Sequence, residues 1–470
     1  MKYTHNYLET KGVETLREIM RELGGTPSLK PKNELIDCII KIQSGELVPS
    51  QSGKGRPPRM MDKQPNKYGE DGDNFADTSV RNDLEEYEVS QDGLIENSQL
   101  VKGILEFHSD GYAFMRGENY EANITSDIYV SKPTIKYFKL RRGDYVEGYA
   151  ERLHSNSSPS LKKIVSLNGK PYNFNDNRLN FDDLTPCYPD SKIKLELSDN
   201  KDDLSIRAID LLCPIGRGQR GLIVAPPKAG KTTLLKKIAN SIEKNHSDIH
   251  LLVLLIDERP EEVTDIKRSI NGEVIYSTFD EAPEHHIRAA ELVLNRGKRL
   301  VEQGKHVVIL LDSITKLARA YNAVVPSSGK TLSGGIDPLA LQAPKKFFGS
   351  ARNIENGGSL TILSTALVET GSKMDDVIYE EFKGTGNMEI ILSRSLSERR
   401  IFPAIDLYKS GTRKDELLLT KEELDAVYSI RRFLDRNDDA IQNLLDMLKR
   451  TENNDEFVNK VPTWCKMLSN

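Results

Sequence analysis

One lysine, one threonine and two acids carry the first chemistry legible in this chain. Ala225-Pro-Pro-Lys-Ala-Gly-Lys-Thr232 follows the G-x-x-x-x-G-K-[ST] pattern of a phosphate-binding loop, with Ala225 at the first glycine. In such a loop Lys231 reaches the β- and γ-phosphates and the Thr232 hydroxyl holds Mg²⁺. Ala229, Gly230 and Thr233 belong to the same cradle, where backbone N–H groups and a helix N-terminus supply the remaining positive field. Pro226 and Pro227 donate no N–H and stiffen the loop, and Lys228 adds a second positive charge.

Two acids follow at the ends of apolar runs. His250-Leu-Leu-Val-Leu-Leu-Ile-Asp257 leads into Glu258, and His306-Val-Val-Ile-Leu-Leu-Asp312 ends in its own acid. A carboxylate at the tip of a buried strand costs burial energy unless a cation faces it. Beside a phosphate loop, Asp312 would serve Mg²⁺ and Glu258 would polarise the water that attacks the γ-phosphate. Alone, Asp312 reads equally as a helix N-cap and Glu258 as a solvated strand end. ATP and Mg²⁺ are the expected cofactors. Phosphoryl transfer also needs positive charge on the γ-phosphate, and Arg400 and Arg413 are candidates. Spacing does not separate either from an ordinary surface charge.

A second chemistry lies upstream, in Asp110-Gly-Tyr-Ala-Phe-Met-Arg116. On a strand, Tyr112, Phe114 and Arg116 share one face, which would make a stacking platform for single-stranded bases. Lys132, Lys136, Lys139, Arg141 and Arg142 follow and could track phosphates. The same alternation also fits a barrel core.

These residues need elements to hold them. Gly221-Leu-Ile-Val224 reads as a buried strand and Thr233 to Asn240 as a helix, the context a phosphate loop requires. From about 205 onward apolar strands alternate with helical stretches, which predicts an α/β fold with a parallel sheet covered by helices. The expected ATPase domain is 211–430, after a connector over 171–210 and before a peripheral helical segment over 431–470. Short alternating runs over 98–170 predict a small OB-like barrel: Val101–Phe107, Ala113–Arg116, Asp127–Val130 and Tyr145–Tyr149. Residues 1–48 read as a helical module, broken at Gly24-Gly25 and restarting at Lys32, and 49–97 as a polar linker. With 470 residues and a net charge of −5, any nucleic-acid function must come from local patches. Four scattered cysteines argue against a zinc site or disulfide framework, and no apolar run suits a signal or a membrane span. A cytoplasmic setting is expected. His285-His286 reads as a helix start rather than a metal site, and Trp464 as an anchor of the C-terminal helices.

Several long stretches together resemble the bacterial transcription termination factor Rho family. They include the loop at 225–232, Leu255-Ile-Asp-Glu-Arg-Pro-Glu-Glu-Val-Thr264, Leu311-Asp-Ser-Ile-Thr315, Tyr379-Glu-Glu-Phe-Lys-Gly-Thr-Gly-Asn387 and Phe402-Pro-Ala-Ile-Asp406. The resemblance runs from about 205 to 420 and more loosely over 98–150. It implies a homohexameric ring of RecA-like domains that hydrolyses ATP, moves 5′→3′ along single-stranded RNA and releases transcripts from RNA polymerase. It makes Lys231 and Lys228 phosphate contacts, Glu258 the catalytic acid, Arg413 a finger reaching the neighbouring ATP, and Arg400 a further γ-phosphate contact. It gives Arg259 a gating role and packs Phe402 on adenine. It has two loops line the central pore, one over 328–335 carrying Lys330 and one over 371–387 carrying Lys373 and Lys383. It adds Tyr129 to the base-stacking aromatics of a cold-shock-type barrel. One departure stands out. The family's Glu and Tyr of a cytosine-selective pocket are missing from Ser155-Asn-Ser-Ser-Pro-Ser-Leu161, which predicts weaker pyrimidine discrimination.

Overall fold

The structure is a computed structural model. It describes isolated residues of the N-terminal module and 32–43, then 98–468 apart from 124–126, 153–157 and 435–439. The expected linker over 49–97 and the Gly24-Gly25 break lie outside the described residues, apart from 98 onward.

The chain divides into two compact units, Met1–Ala76 and Asp77–Asn470. In the first, helix α1 (Lys32–Gln43) starts where the sequence predicts, and Leu8, Leu16, Ile19, Ile36 and Ile39 form its small core.

The second unit opens with a barrel. Strands β1 (Gln99–Phe107), β2 (Ala113–Arg116), β3 (Ile128–Val130), β4 (Tyr145–Glu151) and β5 (Ser160–Leu167) run in the order β3-β2-β1-β4-β5, and β3 pairs with β5 to close the sheet. The sequence reading missed β5, whose Leu161, Ile164 and Leu167 are inward but interrupted by Lys162-Lys163 and by register shifts against β4. A short helix α2 (Lys132–Tyr137), capped by Ser131, also went unread. The hairpin strand β6 (Lys170–Pro171) follows, and β7 (Pro186–Cys187) then joins the larger sheet.

The larger sheet is built as the alternation predicts. Helix α3 (Leu204–Leu212) precedes β8 (Arg220–Ala225), α4 (Lys231–Asn245), β9 (Ile249–Glu258), α5 (Pro260–Ser269) and β10 (Glu273–Thr278). Then come α6 (Pro283–Val301), β11 (His306–Asp312), α7 (Ile314–Val324), β12 (Arg352–Ile354), β13 (Ser359–Leu367), α8 (Lys373–Lys383), β14 (Met388–Ile391) and β15 (Gly411–Thr412). The strand order is β10-β9-β11-β13-β8-β14-β15, parallel from β10 to β14. The central strands are buried on both faces, as the unbroken apolar runs require.

Two expectations change. The C-terminal helices α9 (Lys421–Leu434), α10 (Ala440–Lys449) and α11 (Asn454–Leu468) are not peripheral: Leu444, Leu445, Leu448, Phe457 and Val461 share one core with α3 and β8. Arg207, fully buried in α3, donates to Leu448 O and Thr451 O at 3.0 and 2.8 Å. Trp464 packs on Phe457, as expected. The second change concerns 371–387, which is largely the helix α8 rather than a loop. Its eleven residues separate Lys373 from Lys383 by about 15 Å.

Candidate active site and RNA-facing surface

The parallel sheet brings three strand ends to one edge. The loop after β8 carries Lys231 at the start of α4, β9 ends at Glu258 and β11 at Asp312. Lys231 Nζ donates to Glu258 Oε1 at 2.9 Å and to Asp312 Oδ1 at 2.5 Å, reaching across β13 to do so. Glu258 and Asp312 are 5% and 1% exposed, so neither is a solvated strand end. The N-cap of α7 is Ser313, whose hydroxyl accepts from Lys316 N; Asp312 is left for other work.

The charges explain each other. Burial works against the Lys231 ammonium, but Asp312 and Glu258 outweigh it and hold its pKa above the ordinary lysine value. Burial would raise the Glu258 carboxyl, but Lys231 and Lys316 outweigh it and hold it below the ordinary range. Lys316 was not singled out from sequence. Its Nζ lies 3.0 Å from Glu258 Oε1 and donates to Asp257 O at 2.5 Å. The available signal was a lysine one helical turn past Asp312-Ser313.

A divalent cation fits this edge. Asp312 Oδ1 is taken by Lys231 and by Thr365 Oγ1 at 2.7 Å, while Oδ2 is buried with no hydrogen-bond partner among the described residues. A buried anionic oxygen left open at the edge that also carries the phosphate loop, where the Thr232 hydroxyl lies 3.3 Å from Glu262 Oε2, suits Mg²⁺, which takes one or two protein oxygens and completes its shell with phosphate and water. The described residues hold no cluster of three His, Cys, Asp or Glu, as such a shared shell requires none.

The loop itself alternates: Lys228 and Gly230 adopt φ of 65° and 93°, a pattern that forms an anion-binding concavity of backbone N–H groups. Ala225 and Ala229 are buried, whereas Lys228, Gly230 and Thr233 are exposed. Arg259 is exposed at the start of α5 beside Glu258. A short helix, Arg394–Glu398, touches the loop through Ser397 Oγ, which donates to Lys228 O at 3.3 Å. Arg400 follows it, exposed, and Phe402 is 53% exposed. Arg413 lies elsewhere. Its N–H donates to Asn387 O, and Asn387 Oδ1 accepts from Arg220 N, so Arg413 stands at the opposite end of β8. Six residues of strand, about 16–20 Å, separate it from the phosphate loop of the same chain.

The two expected pore segments meet. Gly334, at φ 79°, lies so close to α8 that a Cβ there would sit 2.6 Å from Met374 N, so only glycine fits. Lys330 and Lys373 are both exposed on this shared structure, whereas Lys383 lies at the far end of α8, near Arg413. The structure is anchored from α7: Arg319 forks onto Asp375 at 2.8 and 2.7 Å, and Asn322 Oδ1 accepts from Asp337 N.

On the barrel, Ala113 and Met115 point inward, which leaves Tyr112 and Phe114 on the outer face. Tyr129, paired with Phe114 across β2 and β3, completes the group, with ring centroids 5.6, 5.6 and 6.1 Å apart. His108 stacks on Tyr112 at 4.6 Å and 11°, a fourth ring the sequence reading missed; its signal was the tight hairpin bonding His108 N to Tyr112 O. Arg116 packs 4.8 Å from the Phe114 ring centroid but is ion-paired to Glu106 and Asp127. It braces the platform instead of offering a free plane to a base. Lys132 lies along the Gly111 turn beside the rings. Arg141 is consumed by Arg178 O and Leu179 O, and Lys139 covers Phe174. Of 155–161, residues 155–157 lie outside the described residues; Pro159 O accepts from Tyr129 N, and Ser158 and Ser160 are the remaining polar side chains there.

Residues 205–412 match a family model described as the ATP synthase alpha/beta family, nucleotide-binding domain. Residues 101–173 match one described as the Rho termination factor, RNA-binding domain. The chain is 57% identical over 364 residues to transcription termination factor Rho of Bacillus subtilis (strain 168), covering 77% of this chain and 84% of that relative. It is 54% identical over 362 residues to the protein of the same name from Pseudomonas aeruginosa, covering 76% and 86%. Among solved structures, an ATPase from the type III secretion system of pathogenic bacteria superposes with a TM-score of 0.52 at 24% identity, covering 66% of this chain and 93% of that one. That likeness is one of fold.

Proposed function

This chain belongs to the transcription termination factor Rho family, and from that membership we propose how its residues divide the work. It is an RNA-binding, ATP-hydrolysing transcription termination factor. Lys231 and Lys228 bind the β- and γ-phosphates, with the backbone of Ala229, Gly230, Thr232 and Thr233 around them. Thr232 and Asp312 would hold Mg²⁺, which would supply neutralisation of the charge that develops on the phosphates during transfer. Glu258, kept ionised by Lys231 and Lys316, orients and deprotonates the attacking water. Phe402 covers the adenine, and Arg259 and Arg400 flank the nucleotide.

The observation that carries the reading is the joint burial of Lys231, Glu258 and Asp312 at one sheet edge, on a chain that also bears an open aromatic platform. A ring ATPase of the same fold that served another purpose would have no reason to stack bases. Arg413 stands a full strand length from its own phosphate loop, which supports its role as a finger that completes the site of a neighbouring copy. That geometry supports a homohexameric ring in which single-stranded RNA is captured on Tyr112, Phe114 and Tyr129, and threads past Lys330 and Lys373. ATP turnover then drives 5′→3′ movement and release of the transcript from RNA polymerase. No helix among the described residues is long and apolar enough to cross a membrane, and we place the protein in the cytoplasm.

The test is ATP hydrolysis by the full-length protein with and without single-stranded RNA. Turnover that depends on RNA is expected, and RNA-independent turnover at the same rate would defeat the reading.

A further inference from the structure

Where the barrel meets the ATPase domain, two arginines share one carboxylate. Arg116, whose guanidinium lies against the Phe114 ring, donates from Nε to Glu106 Oε2 at 2.5 Å and pairs also with Asp127. From the other side Arg288 of α6 forks onto the same group, Nε to Oε1 at 2.5 Å and Nη2 to Oε2 at 2.9 Å. Arg288 also bonds Tyr120 O in the barrel. The side chains of Arg116, Glu106, Asp127 and Arg288 are 12, 20, 7 and 25% exposed. Two positive and two negative charges thus balance in a mostly enclosed cluster, where removing one leaves its partner uncompensated.

The cluster faces both sites. Its outer end is the ring on which a base would stack. Its inner end is the first half of α6, where His286, two residues before Arg288, hydrogen-bonds Ser277 of β10 at 2.8 Å. Strand β10 pairs with β9, Thr278 lies opposite Glu258, and Phe279 N donates to Glu258 O at 3.2 Å. A cavity of about 260 Å³ beside the joint, lined by Leu105, Phe107, Arg142, Ile287, Glu291 and Val324, leaves room for α6 and the barrel to shift against each other.

We propose that Glu106 and Arg288 form a positioning joint that couples base stacking on Phe114 to the α6–β10 support of Glu258. An RNA phosphate drawing on Arg116 weakens its claim on Glu106. Glu106 then falls wholly to Arg288, and α6 settles differently on the barrel. Neither Glu106 nor Arg288 touches nucleotide or RNA; both act through their neighbours. The inference rests on the RNA-facing reading of Tyr112 and Phe114 given above.

Linkage supplies the test, since coupled sites must affect one another equally. The affinity of the full-length protein for a short single-stranded RNA is measured with and without a non-hydrolysable ATP analogue and Mg²⁺. In the unaltered protein the analogue is expected to change RNA affinity by about 5- to 150-fold. In Arg288→Gln that change should shrink to under about 3-fold, with RNA affinity in the absence of nucleotide and RNA-independent turnover both preserved. Arg288→Lys, which keeps the charge but not the fork, should lose part of the coupling and serves if the glutamine variant does not fold. Full retention of the coupling in either variant, or no coupling in the unaltered protein, would overturn the joint. Wild-type RNA affinity in Phe114→Ala would instead remove the platform, and the joint with it.

Discussion

At the sheet edge, Lys231 lies within 2.9 Å of both Glu258 and Asp312, and the two acids are nearly sealed from water. On the barrel, Tyr112, Phe114 and Tyr129 are half-buried rings with centroids 5.6 to 6.1 Å apart, open to whatever arrives. Charges that must act on a phosphate are held in advance, because a dry and fixed site makes each electrostatic contact count. Rings that must accept any base need only a face, since stacking tolerates sequence. The first arrangement should therefore fail sharply when one member is changed, and the second should fail by degrees.

The sharpest failure is expected at Arg413. Arg413→Ala should lower RNA-dependent turnover by about 10³- to 10⁵-fold while ATP binding stays largely intact. Mixing it with Lys231→Ala protein distinguishes the two locations. Rings containing both should regain turnover at those interfaces where a normal loop faces a normal arginine. If mixing restores nothing, Arg413 acts within its own chain or not at all.

Next comes the buried acid. Glu258→Gln keeps the shape and removes the base, which should reduce turnover by about 10²- to 10⁴-fold. Equilibrium RNA binding without nucleotide should stay within about 2-fold, since the carboxyl of Glu258 touches no ring of the barrel platform. A parallel loss of RNA binding without nucleotide would show that the acid also shapes the platform directly.

The open platform should give a smaller and graded response. Phe114→Ala should weaken RNA binding by about 1–3 kcal/mol, the usual worth of one stacked base, and raise the RNA needed for half-maximal ATPase. Turnover at saturating RNA should recover. An unchanged affinity would mean that the rings stack only on each other.

The two regions were also unequally legible. Glu258 and Asp312, ambiguous alone, stood out together with the phosphate loop, because the loop supplies the cationic surroundings that a carboxylate at the tip of a buried strand needs. The parallel sheet followed from the same runs. On the barrel, alternation placed Tyr112 and Phe114 on one face but could not say which face was inward; burial of Ala113 and Met115 decides it. Arg116 looked free because its partners, Glu106 on β1 and Asp127 just before β3, are distant in sequence, and ion pairs between such elements leave no local trace. Strand β5 was hidden by Lys162-Lys163 and its bulges, Lys316 by standing one turn past the acid, and the helix at 373–383 by a family expectation of a loop. The C-terminal helices read as peripheral because their apolar stripes say nothing about what they cover.

The smallest expected effect concerns base identity. Beside Tyr129 the described residues offer Ser158, Pro159 and Ser160, and the Pro159 carbonyl is already spent on Tyr129 N–H. A site that reads a base edge by hydrogen bonds discriminates strongly because a wrong base leaves buried polar groups unpaired. The exposed Ser158 and the half-buried Ser160 have water as an alternative partner, so a wrong base leaves nothing stranded. Direct competition between oligo-C and oligo-A for the full-length protein without nucleotide should then show discrimination of only about 10-fold or less, the effect of one modest hydrogen-bond difference. A preference of several hundred-fold for oligo-C would mean that another group reads the Watson–Crick edge, and the platform would have to be redrawn as a selective pocket.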